Sequence, residues 1–344
     1  MSNNSNLHKA KKAKNDEFFT MLSDIENELS HYKDHFRGKV VYCNCDDARE
    51  SNFFKYFSMN FEFLGLKKLI ATGYKKDGRG VKLVYDGDRN GNRTVDDEEV
   101  QVTELEGDGD FRSEECVKLL DEADVVVSNP PFSLFREYVA QLVEHDKKFL
   151  IIGNMNAITY KEIFPLIKNN KVWLGVNWVK SFTEPSGNVV KMGNVVWYTN
   201  LDMKKRQKLI LTEKYDPVKY PKFDNYDAIN VDKISNIPKD YDGVMGVPIT
   251  FLDKYNPEQF EIVSFRKGKD GRDLAFTVER EREWCRTSGC SYEEFEKKFP
   301  LRCNGLLVKD TFIDGKKKYT RILIRRKPVG ENAETALAGL SANV

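Results

Sequence analysis

No apolar run in the chain approaches the roughly 20 residues that a membrane-spanning helix needs, and 32% of its 344 residues are charged. A helical membrane span is therefore not expected. Its first residues, Met1-Ser2-Asn3-Asn4-Ser5-Asn6, lack the hydrophobic stretch of a secretory signal, and a cytoplasmic location is expected. Cysteine and histidine are scarce, at six and four residues. Cys43, Cys45, Cys116, Cys285, Cys290 and Cys303 show no CxxC spacing, and no histidine lies near the last three. A zinc ribbon and a disulfide framework are both disfavoured, and no metal is expected. Neither charge sign dominates: 55 basic against 54 acidic residues leave a net +1, so the sum alone does not announce a nucleic-acid binder. The Gly-x-Gly that cradles a dinucleotide pyrophosphate is missing after the first expected strand, which weakens a nicotinamide-dinucleotide reading.

What is present is an alternation of strands and helices. Residues 15–36 read as a helix, with Ile25, Leu29 and Tyr32 at helical spacing. Strands are expected at Lys39 to Asn44, Lys68 to Thr72, Asp124 to Ser128 and Phe149 to Ile152. Helices are expected at Ser51 to Phe57, at Glu114 to Asp121, and from a Ser133 cap to about His145. A polar excursion from Tyr74 to Glu106 reads as a hairpin of Val81 to Tyr85 and Val100 to Leu105. The alternation through residue 175 predicts a doubly wound α/β core. Beyond it, short β-like runs such as Val195 to Tyr198, Val244 to Phe251 and Tyr319 to Ile324 alternate with turns, and Glu279 to Lys298 reads as a charged helical insert. Basic clusters stand at Lys9, Lys11, Lys12 and Lys14, at Lys204, Lys205, Arg206 and Lys208, and from Lys316 to Lys327. Each alone reads as solvated surface; together they permit a polyanionic partner.

One tetrapeptide is far more specific. Asn129-Pro130-Pro131-Phe132 follows the β-branched run Val125-Val126-Val127. It would sit beyond the carboxyl end of a buried strand, where open α/β sheets bind ligands. Such a sequence arises by chance in roughly a few per thousand chains of this length. The prolines stiffen the loop and remove two N–H donors, leaving carbonyl acceptors. An amide oxygen, a proline carbonyl and an aromatic face suit a flat ring bearing an exocyclic amino group. Hydrogen bonds accepted at Asn129 Oδ1 and the Pro130 carbonyl would move electron density onto a conjugated nitrogen, and Phe132 would stack on the ring. The strand-end carboxylate Asp46 suits a ribose hydroxyl or a cationic amino acid, and Asp110 suits an adenine amino group with Phe111 packed on the ring. S-adenosylmethionine carries all of these groups. The plainer reading has Asp46 and Asp110 capping turns.

The motif is similar to the catalytic motif of amino-methyltransferases acting on adenine. A wider set of blocks resembles the EcoRI-type adenine-specific DNA methyltransferase family. Among them are His8 to Lys12, Asp16-Glu17-Phe18, Val40 to Asp47, Gly107 to Ser113, Asp224 to Val231, Gly243 to Leu252 and Arg321 to Ile324. The resemblance spans nearly the whole chain. It implies an α/β fold of class-I S-adenosylmethionine-dependent type, a Rossmann-like doubly wound sheet with a β-rich C-terminal target-recognition region. It implies N6-methylation of adenine in double-stranded DNA, with Asn129, Pro130, Pro131 and Phe132 gripping the target base. Cofactor contacts are implied at Asp16, Phe18, Phe19, Thr20, Cys45, Asp46, Asp47, Asp110 and Phe111. The expected organisation is a basic arm at 1–14, a methyltransferase core at 15–205, a target-recognition region at 206–330 and a disordered tail at 331–344. A cognate restriction endonuclease sharing the target without stable complex is a further expectation, and fold-level analogy gives a monomer. Gly175 to Trp197 is shorter than in the family's namesake and Ala275 to Cys303 looks inserted, so the recognition sequence GAATTC is not carried over.

Other readings stay open at this point. N4 of cytosine, adenine in RNA or a glutamine amide presents a comparable planar nitrogen, and a catalytically silent DNA-binding module of the same fold is the rival from another class. Asp86 to Asp97 has the spacing of a calcium-binding EF-hand loop, yet Arg93 replaces the usual apolar residue and the flanks read as strands, so a hairpin tip is preferred. Trp173, Trp178 and Trp197 read as packing residues more than base-stacking ones.

Overall fold

Val40–Cys43 and Val125–Ser128 are buried at every position, the mark of strands covered on both faces. The computed structural model describes residues 19–45, 47–184, 187–202, 208–224 and 226–265, with shorter stretches between 285 and 328. The chain divides into two compact units, 1–204 and 205–344.

The first unit is built on one nine-stranded mixed sheet. Its strands are β1 (Phe19–Thr20), β2 (Val40–Cys43), β3 (Lys68–Gly73), β4 (Val81–Tyr85), β5 (Gln101–Glu104), β6 (Val125–Ser128), β7 (Lys148–Asn154), β8 (Trp173–Thr183) and β9 (Val189–Thr199), in the order β1-β8-β9-β7-β6-β2-β3-β4-β5. The pairs β2–β3, β2–β6 and β6–β7 are parallel; all other pairs in this sheet are antiparallel. From β2 the chain passes to β3 on one side and later to β6 on the other, so the strand order reverses between β2 and β6. In open α/β sheets ligands bind at the carboxyl ends flanking such a reversal.

Alternation assigns the two faces. Val41, Cys43, Leu69, Val127, Ile152 and Trp197 lie in one core with Ile25, Leu29, Phe53, Phe57 and Phe61, contributed by the helices Leu22–Leu29, Asn52–Met59 and Phe61–Leu64. Ser51 caps the second of these, accepting the Phe53 N–H at 3.2 Å. On the opposite face the helix Phe135–Glu144 packs on the sheet through Phe135, whose ring lies 5.0 Å from that of Tyr198. Trp197 is fully buried with its ring 6.1 Å from that of Phe53, and Trp173 donates to the Leu201 carbonyl. Both are packing residues.

Several expectations need correction. Phe19 and Thr20 are not helical; they form an edge strand paired with Thr183 and Phe182, because long-range pairing overrides local propensity. Ser133 is not the helix cap: the N-cap is Leu134, whose N–H goes to the Pro131 carbonyl. Asp110 lies in the loop between β5, which ends at Glu104, and the helix Glu114–Glu122. The sheet is mixed, and the expected hairpin joins it at the edge as β4 and β5. The residues 86–97 form the hairpin tip. Asp88 accepts N–H bonds from Gly91 and Arg93, Asp96 accepts the Asn90 and Asn92 amides, and buried Glu99 accepts the N–H groups of Arg89 and Asn90.

The β8 edge is finished by carboxylates. Glu28, fully buried, accepts the Val176 N–H at 2.8 Å, the Asn177 N–H at 2.7 Å, the Asn177 amide at 3.1 Å and the Tyr32 hydroxyl at 3.0 Å. Asp24 accepts the Lys180 N–H at 3.2 Å. Where β1 stops, these side chains replace the carbonyls of a missing strand and cover the edge. The pairing of β8 with β9 shifts between Leu174 and Trp178. There a Cβ on Gly175 would fall 2.2 Å from a Glu28 oxygen and 2.6 Å from the Trp197 Cβ.

In the second unit β10 (Ile229–Asn230), β11 (Met245–Pro248), β12 (Phe260–Phe265) and β17 (Arg321–Arg326) form a sheet in the order β10-β11-β17-β12. Two further pairs of two-residue strands complete the strand set among the described residues: β13 (Arg302–Cys303) with β14 (Leu306–Leu307), and β15 (Phe312–Ile313) with β16 (Lys316–Lys317). The run at Val244 to Phe251 is strand only through Pro248, then a 3₁₀ turn at Ile249–Lys254. Arg321 is buried and paid for by Asn230 Oδ1 at 3.0 Å and Asp232 Oδ1 at 2.9 Å. Residues 266–284, most of the expected 279–298 helix, the basic arm at 1–14 and the tail at 331–344 lie outside the described residues.

Two outcomes follow for stability. Gly175→Ala is expected to cost about 1–3 kcal/mol in urea unfolding, since the methyl meets both Glu28 and Trp197. Burial pushes the Glu28 carboxyl up from its ordinary value of 4.5, against the lowering effect of its four donors. The folded state then holds the extra proton, so this group's contribution to stability falls as pH rises from 4.5 through the raised folded value. Urea unfolding across that window should show the fall in the native chain and lose it in Glu28→Gln.

Candidate active site

The carboxyl ends of β2 and β6 are joined by one buried polar residue. Asn44, 4% exposed, follows β2. Its carbonyl accepts the Ser128 hydroxyl at the end of β6, and its amide oxygen accepts the hydroxyl of Tyr138 from the helix above. Burial raises the Tyr138 phenol well above its ordinary value, so it stays a donor. The Tyr42 and Thr72 hydroxyls, 2.8 Å apart, bond the interiors of β2 and β3 in the same way.

Asn129 and Pro130 leave this hub buried, while Pro131 and Phe132 are half-buried and Phe132 packs on the core. The Pro131 carbonyl accepts the Leu134 N–H at 2.9 Å. The Pro130 carbonyl accepts no hydrogen bond among the described residues. Phe135 anchors the loop's far end over Gly153 of β7, where a Cβ would lie 2.5 Å from the Phe135 ring. The loop is thus held at both ends, with the Pro130 carbonyl left unused.

Cys45, after Asn44, has φ 69°, a left-handed conformation usual for glycine. The turn is made without the missing glycine. Asp46, like Asp16 and Phe18, lies outside the described residues. Asp47 is exposed, and its carboxylate accepts the Arg49 N–H at 2.9 Å in the turn leading to the Ser51 cap. Asp110 accepts three bonds from Arg112, from Nε at 2.9 Å, Nη2 at 2.6 Å and the backbone N–H at 2.9 Å. The Arg112 guanidinium holds the Asp110 carboxyl below its ordinary value. An ionised carboxylate with about four acceptor positions keeps one for another donor. Phe111 is 6% exposed, its ring edge-on to Tyr138 at 5.0 Å, and its carbonyl accepts the Gln141 amide at 3.1 Å. The 108–110 turn is fixed to β3 through Lys75 N–H to Asp108 O at 2.8 Å, and a Cβ on Gly109 would fall 2.5 Å from the Gly73 carbonyl.

Phe19 and Thr20 arrive from the far edge. The Asn52 amide, at the start of the helix after β2, donates to the Thr20 carbonyl at 2.7 Å. The Thr20 hydroxyl is buried with no partner among the described residues. The structure ties Thr20 to Asn52 after β2, sets Cys45 and Asp47 after β2 and Asn129 to Phe132 after β6, and joins Phe111 to them through Tyr138 and Asn44. Asn44, Ser128 and Tyr138, which make the links between β2, β6 and the helix above, were not singled out by sequence. Asn44 and Ser128 carry a faint signal, each a polar residue ending a buried apolar strand; Tyr138 carries none.

A stiff loop with an unused carbonyl thus stands at the strand reversal of a mixed α/β sheet, the position where open α/β enzymes bind ligands. The chain matches the family described as "Adenine-specific methyltransferase EcoRI" over residues 6–327 and belongs to that family. It is 53% identical over 298 residues to the type II methyltransferase M.EcoRI of Escherichia coli, covering 78% of this chain and 91% of that protein. It is 41% identical over 279 residues to the type II methyltransferase M.MgeORF184P of Mycoplasma genitalium, covering 75% and 85%. The type II methyltransferase M.MpnI of Mycoplasma pneumoniae is also 41% identical over 279 residues, covering 75% and 84%. No solved structure matches the chain. The chain is an adenine-specific methyltransferase, and its family implies S-adenosylmethionine as methyl donor. Among the described residues no group of three or more His, Cys, Asp or Glu is placed to hold a metal ion, and no helix is long and apolar enough to cross a membrane.

Tyr138→Phe should cost about 1–2 kcal/mol in urea unfolding, because it leaves the buried Asn44 amide oxygen without its donor.

Proposed function

We propose that this enzyme methylates N6 of a flipped adenine in double-stranded DNA, and that Asn129, Pro130, Pro131 and Phe132 grip the base. The observation that carries this reading is the unused Pro130 carbonyl beside Asn129, on a loop fixed at both ends at the strand reversal. A conjugated amine is a weak nucleophile. Two acceptors aimed at its hydrogens raise electron density on nitrogen and favour tetrahedral geometry as the new bond forms. The loop's rigidity means that these dipoles need no reorganisation. Extruding the base costs a few kcal/mol, and stacking on the half-buried Phe132 returns about 1–3 kcal/mol.

S-adenosylmethionine supplies a methyl group activated on a sulfonium. The residues present fit it. Thr20 offers a buried hydroxyl in want of a partner, Asp46 and Asp47 follow the left-handed Cys45 in sequence, and Asp110 keeps one acceptor position. Asp16, Phe18 and Phe19 belong to the same N-terminal segment as Thr20. In this reading Phe111, buried against Tyr138, serves as a wall behind the adenine end. The sheet is then a Rossmann-like, doubly wound class-I core spanning 15–205, with target recognition in the β-rich 206–330 region. The wider setting follows the type II relatives: a cytoplasmic modification enzyme, acting as a monomer, whose cognate endonuclease shares the target sequence without a stable complex.

The purified chain, given methyl-labelled S-adenosylmethionine and duplex DNA, should yield N6-methyladenine after nuclease digestion and mass spectrometry. Asn129→Ala and Pro130→Thr should lower turnover at least about 100-fold, in the range seen when an oriented donor or acceptor is removed, with unfolding free energy within about 1 kcal/mol of native. Near-native turnover in Asn129→Ala, or label in N4-methylcytosine, RNA or protein, contradicts the proposal.

A further inference from the structure

Residues 20, 24 and 28 recur every fourth position on one side of the segment that runs from β1 into the Leu22–Leu29 helix. All three meet β8: Thr20 through the β1 ladder opposite Phe182, Asp24 at the Lys180 N–H, Glu28 at the Val176 and Asn177 N–H groups. The two carboxylates continue along the β8 edge the acceptor row that β1 begins. The helix and the two-residue strand are therefore set in register by one continuous set of bonds. A two-residue strand alone has too few bonds to fix its own position. Glu28 contributes most of the rest, with four donors converging on a fully buried carboxylate, and Gly175 leaves no slack at that point.

We infer that Glu28 is a positioning residue for cofactor binding: by locking the helix to the β8 bulge it holds β1 so that the buried, unpartnered Thr20 hydroxyl faces the cofactor. This rests on the reading of Phe19 and Thr20 as cofactor residues and adds the device that places them. Glu28 itself is sealed beneath the edge and touches no reacting atom.

The test is isothermal titration of the full-length chain with S-adenosylhomocysteine, beside steady-state kinetics. Glu28→Gln puts an amide N–H against the Asn177 donors; it should weaken S-adenosylhomocysteine about tenfold and raise KM for S-adenosylmethionine similarly. Its kcat at saturating cofactor and its KM for DNA should stay within about twofold. Tyr32→Phe, which removes one donor and keeps the carboxylate, should weaken binding about threefold and carries the test if Glu28→Gln does not fold. Thr20→Val should weaken binding at least tenfold and Thr20→Ser should restore it. Ile262→Val, a destabilising change in the other unit, should leave affinity unchanged. Loss of stability in Glu28→Gln and Tyr32→Phe with native affinity overturns the inference. If Thr20→Val also binds normally, the cofactor assignment of this segment falls too; if Thr20→Val alone weakens binding, only the role of Glu28 falls.

Discussion

The site depends on the bonds that Asn44 makes at the point where the strand order reverses. The sheet opens a crevice at the ends of the parallel strands β2 and β6 because the chain leaves β2 in one direction and β6 in the other. The crevice has no backbone ladder beyond the last paired residues. Asn44 closes it from below, with its carbonyl on the Ser128 hydroxyl and its amide oxygen on the Tyr138 hydroxyl. Each of those partners carries one side of the rim. Ser128 begins the Asn129 loop, and Tyr138 packs on Phe111 next to Asp110. Such a buried network is strong when every member is satisfied and costly when one is lost.

The rim is stiff by several independent means. Prolines fix the Asn129 loop, Phe135 seats its far end over Gly153, and glycine allows the 109 turn to cross β3 at close range. Stiffness suits a reaction in which no covalent intermediate is needed and alignment supplies most of the advantage. The edge strand β1 is held differently. It is short, lies at the sheet's edge, and borrows its position from carboxylates that stand in for absent carbonyls.

Much of this was legible in the sequence. Val40 to Cys43 and Val125 to Ser128 read as buried strands because runs of β-branched and apolar residues leave few alternatives. The hairpin at 81–104 showed its turn chemistry, and Asn129 to Phe132 announced its place beyond a buried strand. What stayed hidden was fixed by distant partners. Phe19 and Thr20 look helical until Phe182 and Thr183, more than 160 residues later, pair with them. Glu28 looks like one more charge on an amphipathic helix, yet it is fully buried, and only the β8 bulge explains it. Phe111 sits next to a plausible adenine-binding aspartate in sequence, while the fold commits its ring to Tyr138. Cys45 takes a glycine's conformation without being glycine, so its turn left no local mark.

The most direct test of the central claim is single-molecule sequencing of DNA from cells expressing this chain and from cells expressing Asn129→Ala. N6-methyladenine is expected at one short motif, nearly complete with the native chain and absent with the variant. Methylation that persists in the variant, or no new methyladenine with the native chain, would contradict it.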